Sequence, residues 1–315
     1  MAETLFNLEE WRFVKERGAL ARNGHVYCSP DGSFYLRTGD VATVQSEAEF
    51  GRRMWQHGFP VPEVTEIGQI ADGLGYFIEK SIGTESFGDR LGREYAASGS
   101  ISGKTFNAFR EISLRFLAAQ INPSCRQSGP SQMRAGIQLV NVSSENPDIA
   151  DLLEEAVAKA EKRIRGLPLV LTHGDLSPFN ILSGGVVDFE VRFVAPAGLD
   201  AVTAVVFQRL WDFPLPNGTG TMCLWDFSRP QIADFLSQAD DLFKAHSLPS
   251  LSAFFDDFLM LKAIWALCYE RPDDLNSAQV QRWQWRKRVA VYCAERTLLS
   301  QAIESEAFRS VGLGR

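Results

Sequence analysis

The chain has 315 residues, 45% of them hydrophobic and 23% charged, a globular composition that excludes a disordered or fibrous protein. Its 32 basic and 39 acidic residues leave a formal charge of −7, which argues against non-specific nucleic-acid binding, since that needs a positive surface to displace counterions from phosphates. Five scattered cysteines (Cys28, Cys125, Cys223, Cys268, Cys293), never spaced C-x-x-C, argue against a disulfide framework or zinc knuckle and for reduced thiols.

In chain order, Met1–Leu5 is acidic where a secretory signal would be basic, and no segment approaches the ~18 consecutive apolar residues of a membrane span. A cytoplasmic protein with no membrane partner is expected. His25–Ser29 and Ser33–Arg37 flank the turn signal Pro30-Asp31-Gly32 and predict a β-hairpin. Phe50, Met54 and Trp55 predict a helix over Gln45–Gln56, stopped by Gly58. Pro60-Val61-Pro62 forces an extended exit, and Gly75–Lys80 reads as a buried strand. From Thr105 the chain turns helical, with Phe106, Phe109, Ile112, Phe116 and Leu117 on one face. Residues 122–148, rich in Ser, Pro, Gly and Asn, read as a long loop. A helix capped by Asp151 follows over Leu152–Arg165. Leu169–Thr172 and Ile181–Ser183 are short strands, and a last helical stretch starts at Ser228-Arg229-Pro230.

The informative segment is Leu171-Thr172-His173-Gly174-Asp175-Leu176-Ser177-Pro178-Phe179-Asn180, followed by Val186-Val187-Asp188-Phe189-Glu190. An apolar strand runs into His-x-Asp, a loop follows, and Asn and Asp flank a second strand pair. An amide oxygen and carboxylates at strand ends suit a hard cation such as Mg²⁺. A further carboxylate nearby suits the deprotonation of a hydroxyl. A three-residue loop Ser183-Gly184-Gly185, with a glycine at its left-handed position, would set Asn180 opposite Asp188 on one face, ~4.5–5.5 Å apart at Cβ. That loop is the expectation. A two-residue Gly-Gly turn would separate them.

These residues resemble the aminoglycoside phosphotransferase/choline kinase superfamily. His173-Gly174-Asp175-x4-Asn180 matches its catalytic loop, Asp188-Phe189-Glu190 its metal-binding segment, and Leu199-Asp200-Ala201 its later Asp-Leu-Ala stretch. The resemblance implies an α+β fold of protein-kinase type. It would have a small N-terminal β-rich lobe (residues 1–82) that binds nucleotide, and a larger, mostly helical C-terminal lobe (83–315) that carries catalysis and the acceptor. It also implies a small-molecule kinase that transfers the γ-phosphoryl group of ATP or GTP to a hydroxyl of an antibiotic, sugar or amino alcohol.

Carried over residue by residue, Asp175 is the catalytic base, Asn180 and Asp188 hold Mg²⁺, and His173 and Asp200 brace the loop. Arg37 stands where relatives carry a phosphate-binding lysine. Glu47, with Glu49 as the alternative, would be its ion-pair partner. Ile78–Ile82, including Glu79 and Ile82, would be the hinge that meets the base, and Asn23-Gly24-His25 a weak candidate for a cover loop.

Rival readings have distinct signatures. A catalytically inactive kinase-like binding module is favoured by Arg37 in place of lysine. A metal-dependent phosphohydrolase would release phosphate without an acceptor. Gly99–Thr105 looks like a P-loop but is one residue short and lacks a preceding strand, so a loop and helix start are expected. Trp211-Asp212-Phe213 and Trp225-Asp226-Phe227 are candidates for the acceptor pocket.

Overall fold

The computed structural model describes residues 8–16, 24–70, 73–210, 213–214, 221–222, 224–269 and 277–299. The hairpin around Pro30-Asp31-Gly32 forms: β2 (His25–Cys28) pairs antiparallel with β3 (Phe34–Asp40), Tyr27 opposite Leu36. The Asp31 carboxylate closes the turn by accepting from Ser29 Oγ (2.6 Å) and Ser33 N (3.0 Å). Three more strands, β1 (Arg12–Glu16), β4 (Val64–Ile70) and β5 (Leu74–Lys80), complete an antiparallel sheet of order β1-β2-β3-β5-β4. Sequence reasoning missed β1 because every residue in it is exposed, so no apolar alternation marks it.

Helix α1 (Val41–Gln56) starts earlier than its apolar pattern suggests, because Asp40 caps it by accepting from Thr43 N at 2.9 Å. Its buried Val44 and Ala48 pack on Val64 and Phe77 of the sheet.

The rest is mainly helical. Ser86 caps α2 (Phe87–Ser98), which ends at Gly99 with φ 70°, and Ser102 caps α3 (Gly103–Ile121). The P-loop look-alike is therefore a helix end followed by a helix cap. Residues 122–148 are not one loop: they contain α4 (Met133–Gly136) and α5 (Leu139–Glu145). Met133, Ile137, Leu139 and Val142 are buried there, apolar anchors hidden among polar neighbours. Helix α6 (Ala150–Ile164) begins one residue before the expected cap, and Asp151 lies in its first turn.

Then come β6 (Leu169–Thr172), β7 (Ile181–Leu182), β8 (Gly185–Val186) and β9 (Phe193–Pro196), with β6 paired to β9 and β7 to β8. Helix α7 (Leu199–Leu210), the paired strands β10 (Phe213–Pro214) and β11 (Thr221–Met222), and α8 (Arg229–Ala245), α9 (Phe255–Ala266) and α10 (Ser277–Leu299) finish the chain. Every residue of α9 is buried, including Asp256, Asp257 and Lys262. Arg163 of α6 grips both Asp257 oxygens and so ties α6 to this central helix.

The four described cysteines are free thiols. Among the described residues no helix is long and apolar enough to cross a membrane.

Candidate active site

The site grows from the end of β6. Thr172 Oγ1 donates to Phe193 O (2.7 Å), locking the last β6 residue to β9. His173 follows, fully buried, and its ring makes two hydrogen bonds: Nε2 with Val187 O (2.8 Å), and Nδ1 accepting from Asp175 N (3.3 Å). Together they select the tautomer protonated at Nε2. Gly174 has φ 80°, and a side chain there would collide with the Val191 carbonyl, so only glycine lets the chain turn.

Asp200, in the first turn of α7, lies beneath this loop. Its Oδ2 accepts from His173 N and Gln120 Nε2 (2.7 Å each) and its Oδ1 from Gly174 N (3.1 Å). Burial raises its carboxyl above the usual range, while His173, Gln120 and Gly174 pull the other way.

Asp175 emerges half-buried at the loop's tip. Asn180 Nδ2 donates to its backbone carbonyl (2.8 Å) and reaches its Oδ2 at 3.4 Å. With its amide nitrogen turned toward Asp175, Asn180 offers its Oδ1 elsewhere.

The hairpin after Asn180 departs from expectation. Ile181 pairs with Val186 and Leu182 with Gly185, so the connection is Ser183-Gly184, and neither glycine has a left-handed φ. Contacts with the N-terminal half decide this register. Gly184 N donates to Ile82 O and Val186 N to Pro60 O, both at 2.7 Å. A Cβ on Gly184 would sit 2.6 Å from Ile82 O, and one on Gly185 would collide with Pro60 O. The glycines serve close backbone approach, not turn handedness. Asn180 is therefore not set against Asp188: its carbonyl accepts from Val187 N at 3.0 Å. Asp188 has its own left-handed backbone (φ 69°), a conformation Asp tolerates better than most residues. Phe189 fixes the bend by packing on His173 (4.6 Å), Phe50 (5.4 Å) and Phe116 (6.0 Å).

Asp188 lines a cavity shared with Arg37, Glu47, Glu79 and Arg192. The direct partner of Arg37 is Glu79, not Glu47: Arg37 Nε donates to Glu79 Oε1 at 2.7 Å. Arg37 stands opposite Phe77 in the β3–β5 ladder, and Glu79, two residues along, is its diagonal neighbour on the same face, a relation that helix spacing does not reveal. Burial disfavours the Arg37 cation, but Glu79, with Asp188 and Glu47 adding to it, outweighs this and raises its pKa. Of the two α1 candidates, Glu47 faces the cavity and Glu49 is exposed.

The hinge also differs: Glu79 contributes a side chain to an ion pair, and the Ile82 carbonyl is engaged by Gly184. Asn23, Trp211 and Asp212 lie outside the described residues. Trp225 is core, packed on Phe179 at 5.4 Å.

Two residues that sequence reasoning passed over complete the site. Gln120 of α3 joins Asp200 to Leu171 O (2.9 Å). Lys262 of α9 donates to Gly174 O (2.6 Å) and stands 3.9 Å from Asp175 Oδ1. Burial lowers its ammonium to about 8 against the pull of Asp175 and Asp200. One signal pointed to it: a lone cation inside the apolar run Phe258–Leu267 must have a buried partner.

Among the described residues no three His, Cys, Asp or Glu side chains group to hold a metal. Asn180 Oδ1 and the Asp188 carboxylate are oxygen donors of the kind Mg²⁺ takes, but the hairpin register does not set them opposite one another.

Residues 18–221 match the model of the APH phosphotransferase enzyme family. No curated protein matches the sequence. Among solved structures, similarity extends to a candidate aminoglycoside phosphotransferase from Ralstonia eutropha JMP134, with 11% identity, a TM-score of 0.55, and 91% of this chain and 92% of that one covered. A thermostable mutant of aminoglycoside phosphotransferase APH(4)-Ia, in ternary complex with AMP-PNP and hygromycin B, is 15% identical with a TM-score of 0.53, covering 95% of this chain and 97% of that one. APH(3'')-Id from Streptomyces rimosus ATCC10970, in complex with ADP and streptomycin, is 16% identical with a TM-score of 0.50, covering 81% and 92%. At these identities the likeness shows the fold, which is the two-lobe kinase-like one.

Proposed function

The chain belongs to the phosphotransferase enzyme family, and from that premise we propose that it moves the γ-phosphoryl group of ATP to a hydroxyl of a small molecule, with Mg²⁺ on the nucleotide. The observation that carries this reading is a single connected loop. Asp175 is held at its tip by Asn180, and its base is fixed by Asp200 and His173.

Asp175 accepts the hydroxyl proton while the acceptor oxygen bonds to the γ-phosphorus and the bond to the bridging oxygen breaks, releasing ADP. Asn180 Oδ1 and Asp188 would hold Mg²⁺, which when bound neutralises phosphate charge. Arg37 supplies a fixed cation at the phosphate end, steadied by Glu79, with Glu47 facing it across the cavity. His173 and Asp200 hold the loop. Ile82 lies against the nucleotide base and meets it by its amide rather than its engaged carbonyl. Residues 1–82 form the nucleotide lobe and 83–315 the acceptor lobe. The acceptor belongs to the antibiotic, sugar or amino-alcohol class, GTP is the alternative donor, and the setting is cytoplasmic.

The experiment is a screen of small hydroxyl compounds for acceptor-dependent ADP formation, run beside thermal shifts with Mg-ATP. An Asp175→Ala variant is expected to lose turnover by about a hundredfold or more and still bind nucleotide. Asp188→Ala is expected to lose the Mg-ATP thermal shift. Wild-type turnover in either variant, once an acceptor is in hand, would remove these roles.

A further inference from the structure

We propose that Lys262 is a positioning residue for phosphoryl transfer: from inside α9 its ammonium clamps the Gly174 carbonyl and faces the Asp175 carboxylate, fixing where that carboxylate points. The proposal rests on the phosphotransferase reading and extends it to a residue outside the matched loop and beyond residue 221, where the family match ends.

Lys262 is 2% exposed, on a helix with no solvent-facing residue. An ammonium so deep is costly unless it is compensated. Among the described residues its compensation is drawn from the loop residues Gly174 and Asp175, with Asp200 and Trp265 beside them. Nζ lies 2.6 Å from Gly174 O, 3.9 Å from Asp175 Oδ1 and 3.0 Å from the centroid of the Trp265 ring. Asp175 Oδ1 is itself buried and without a hydrogen bond, so Lys262 is the group facing it. The other oxygen, Oδ2, is turned toward Asn180 Nδ2.

The peptide groups on both sides of Gly174 are thus pinned. Its N–H is held by Asp200 of α7 and its C=O by Lys262 of α9. Two helices from different parts of the chain converge on the residue before Asp175. The ammonium also lies over the ring of Trp265, about one turn along α9, at 3.0 Å from its centroid.

A cation at this distance orients the Asp175 carboxylate. In a loose transition state the protein has little covalent chemistry to do, and catalysis is mostly positioning. Burial lowers the Lys262 ammonium to about 8 despite the pull of Asp175 and Asp200, which leaves it mostly charged at neutral pH. Loss of Lys262 should therefore act on turnover through Asp175 and leave nucleotide binding alone.

The test is a double-mutant cycle on Mg-ATP hydrolysis, with water as the acceptor and ADP formation as the readout. Lys262→Met is expected to lower kcat by about tenfold or more with the KM for Mg-ATP unchanged. In an Asp175→Asn background the same change is expected to cost nothing further, because the group it positions is gone. An unchanged kcat in Lys262→Met overturns the proposal. So does an equal loss in both backgrounds, which would make Lys262 a packing residue only. If Lys262→Met melts too early to assay, the same cycle is run with Lys262→Arg. That variant keeps the charge and displaces the donor, and its effect must likewise vanish beside Asp175→Asn. An Asp175→Asn variant as active as wild type overturns the site reading itself, an outcome distinct from failure of the Lys262 link alone.

Discussion

Asp200 has a carboxylate buried beneath the His173–Asp175 loop, and its worth lies in the donors it satisfies. Removing it as Asp200→Ala strands the His173 and Gly174 N–H groups, at about 1–3 kcal/mol each. A fall of about 2–6 kcal/mol in unfolding free energy is expected from urea titration, and a loss below 1 kcal/mol would mean that water replaces the carboxylate. Lys262 gives a pH signature. Its folded pKa is lowered from 10.5 to about 8, and the unfolded chain keeps the ordinary value. Between those limits the unfolded state binds a proton that the folded state lacks, so stability gained from this group rises with pH across the window. Compared with Lys262→Met, the wild type should gain in urea midpoint between about pH 7 and about pH 10. A constant gap would contradict the burial argument.

The β7–β8 hairpin shows how elements are tuned to one another. Gly185→Ala forces a methyl group onto the Pro60 carbonyl and is expected to cost about 1–3 kcal/mol by overpacking, along with part of the Mg-ATP thermal shift. Gly103→Ala is the control, since nothing lies within 4 Å of a Cβ there and the residue opens α3. It should be neutral or stabilising by up to about 1 kcal/mol in the same titration.

This hairpin also marks where the sequence became illegible. The His173–Asp175–Asn180 loop was readable as one connected unit because its residues lie within a single short segment. The register of β7 on β8 was not, because it is fixed by Pro60 and Ile82, about a hundred residues upstream. The same holds for Glu79, whose partnership with Arg37 exists only once β3 lies beside β5. The exposed strand β1 had no pattern to read, and Lys262 was hidden in an apolar run that looked like plain core.

For the molecule as a whole, the apolar core does not stop at the proposed lobe boundary. Met54, Phe59 and Val61 belong to the same cluster as the C-terminal helices, and Phe59 packs edge-on against Phe116 at 5.3 Å. The two lobes are therefore expected to melt together, with calorimetric and van't Hoff enthalpies equal in a scanning experiment. Two separate heat-absorption peaks would contradict a shared core. The seam where Gly184 meets Ile82 and Val186 meets Pro60 adds a constraint of its own. Two amide–carbonyl links at one spot make a fulcrum, about which a swing of the sheet over the helices is expected to turn. In such a swing the edge strand β1 is expected to travel farther than Asp188, which lies two residues past the seam.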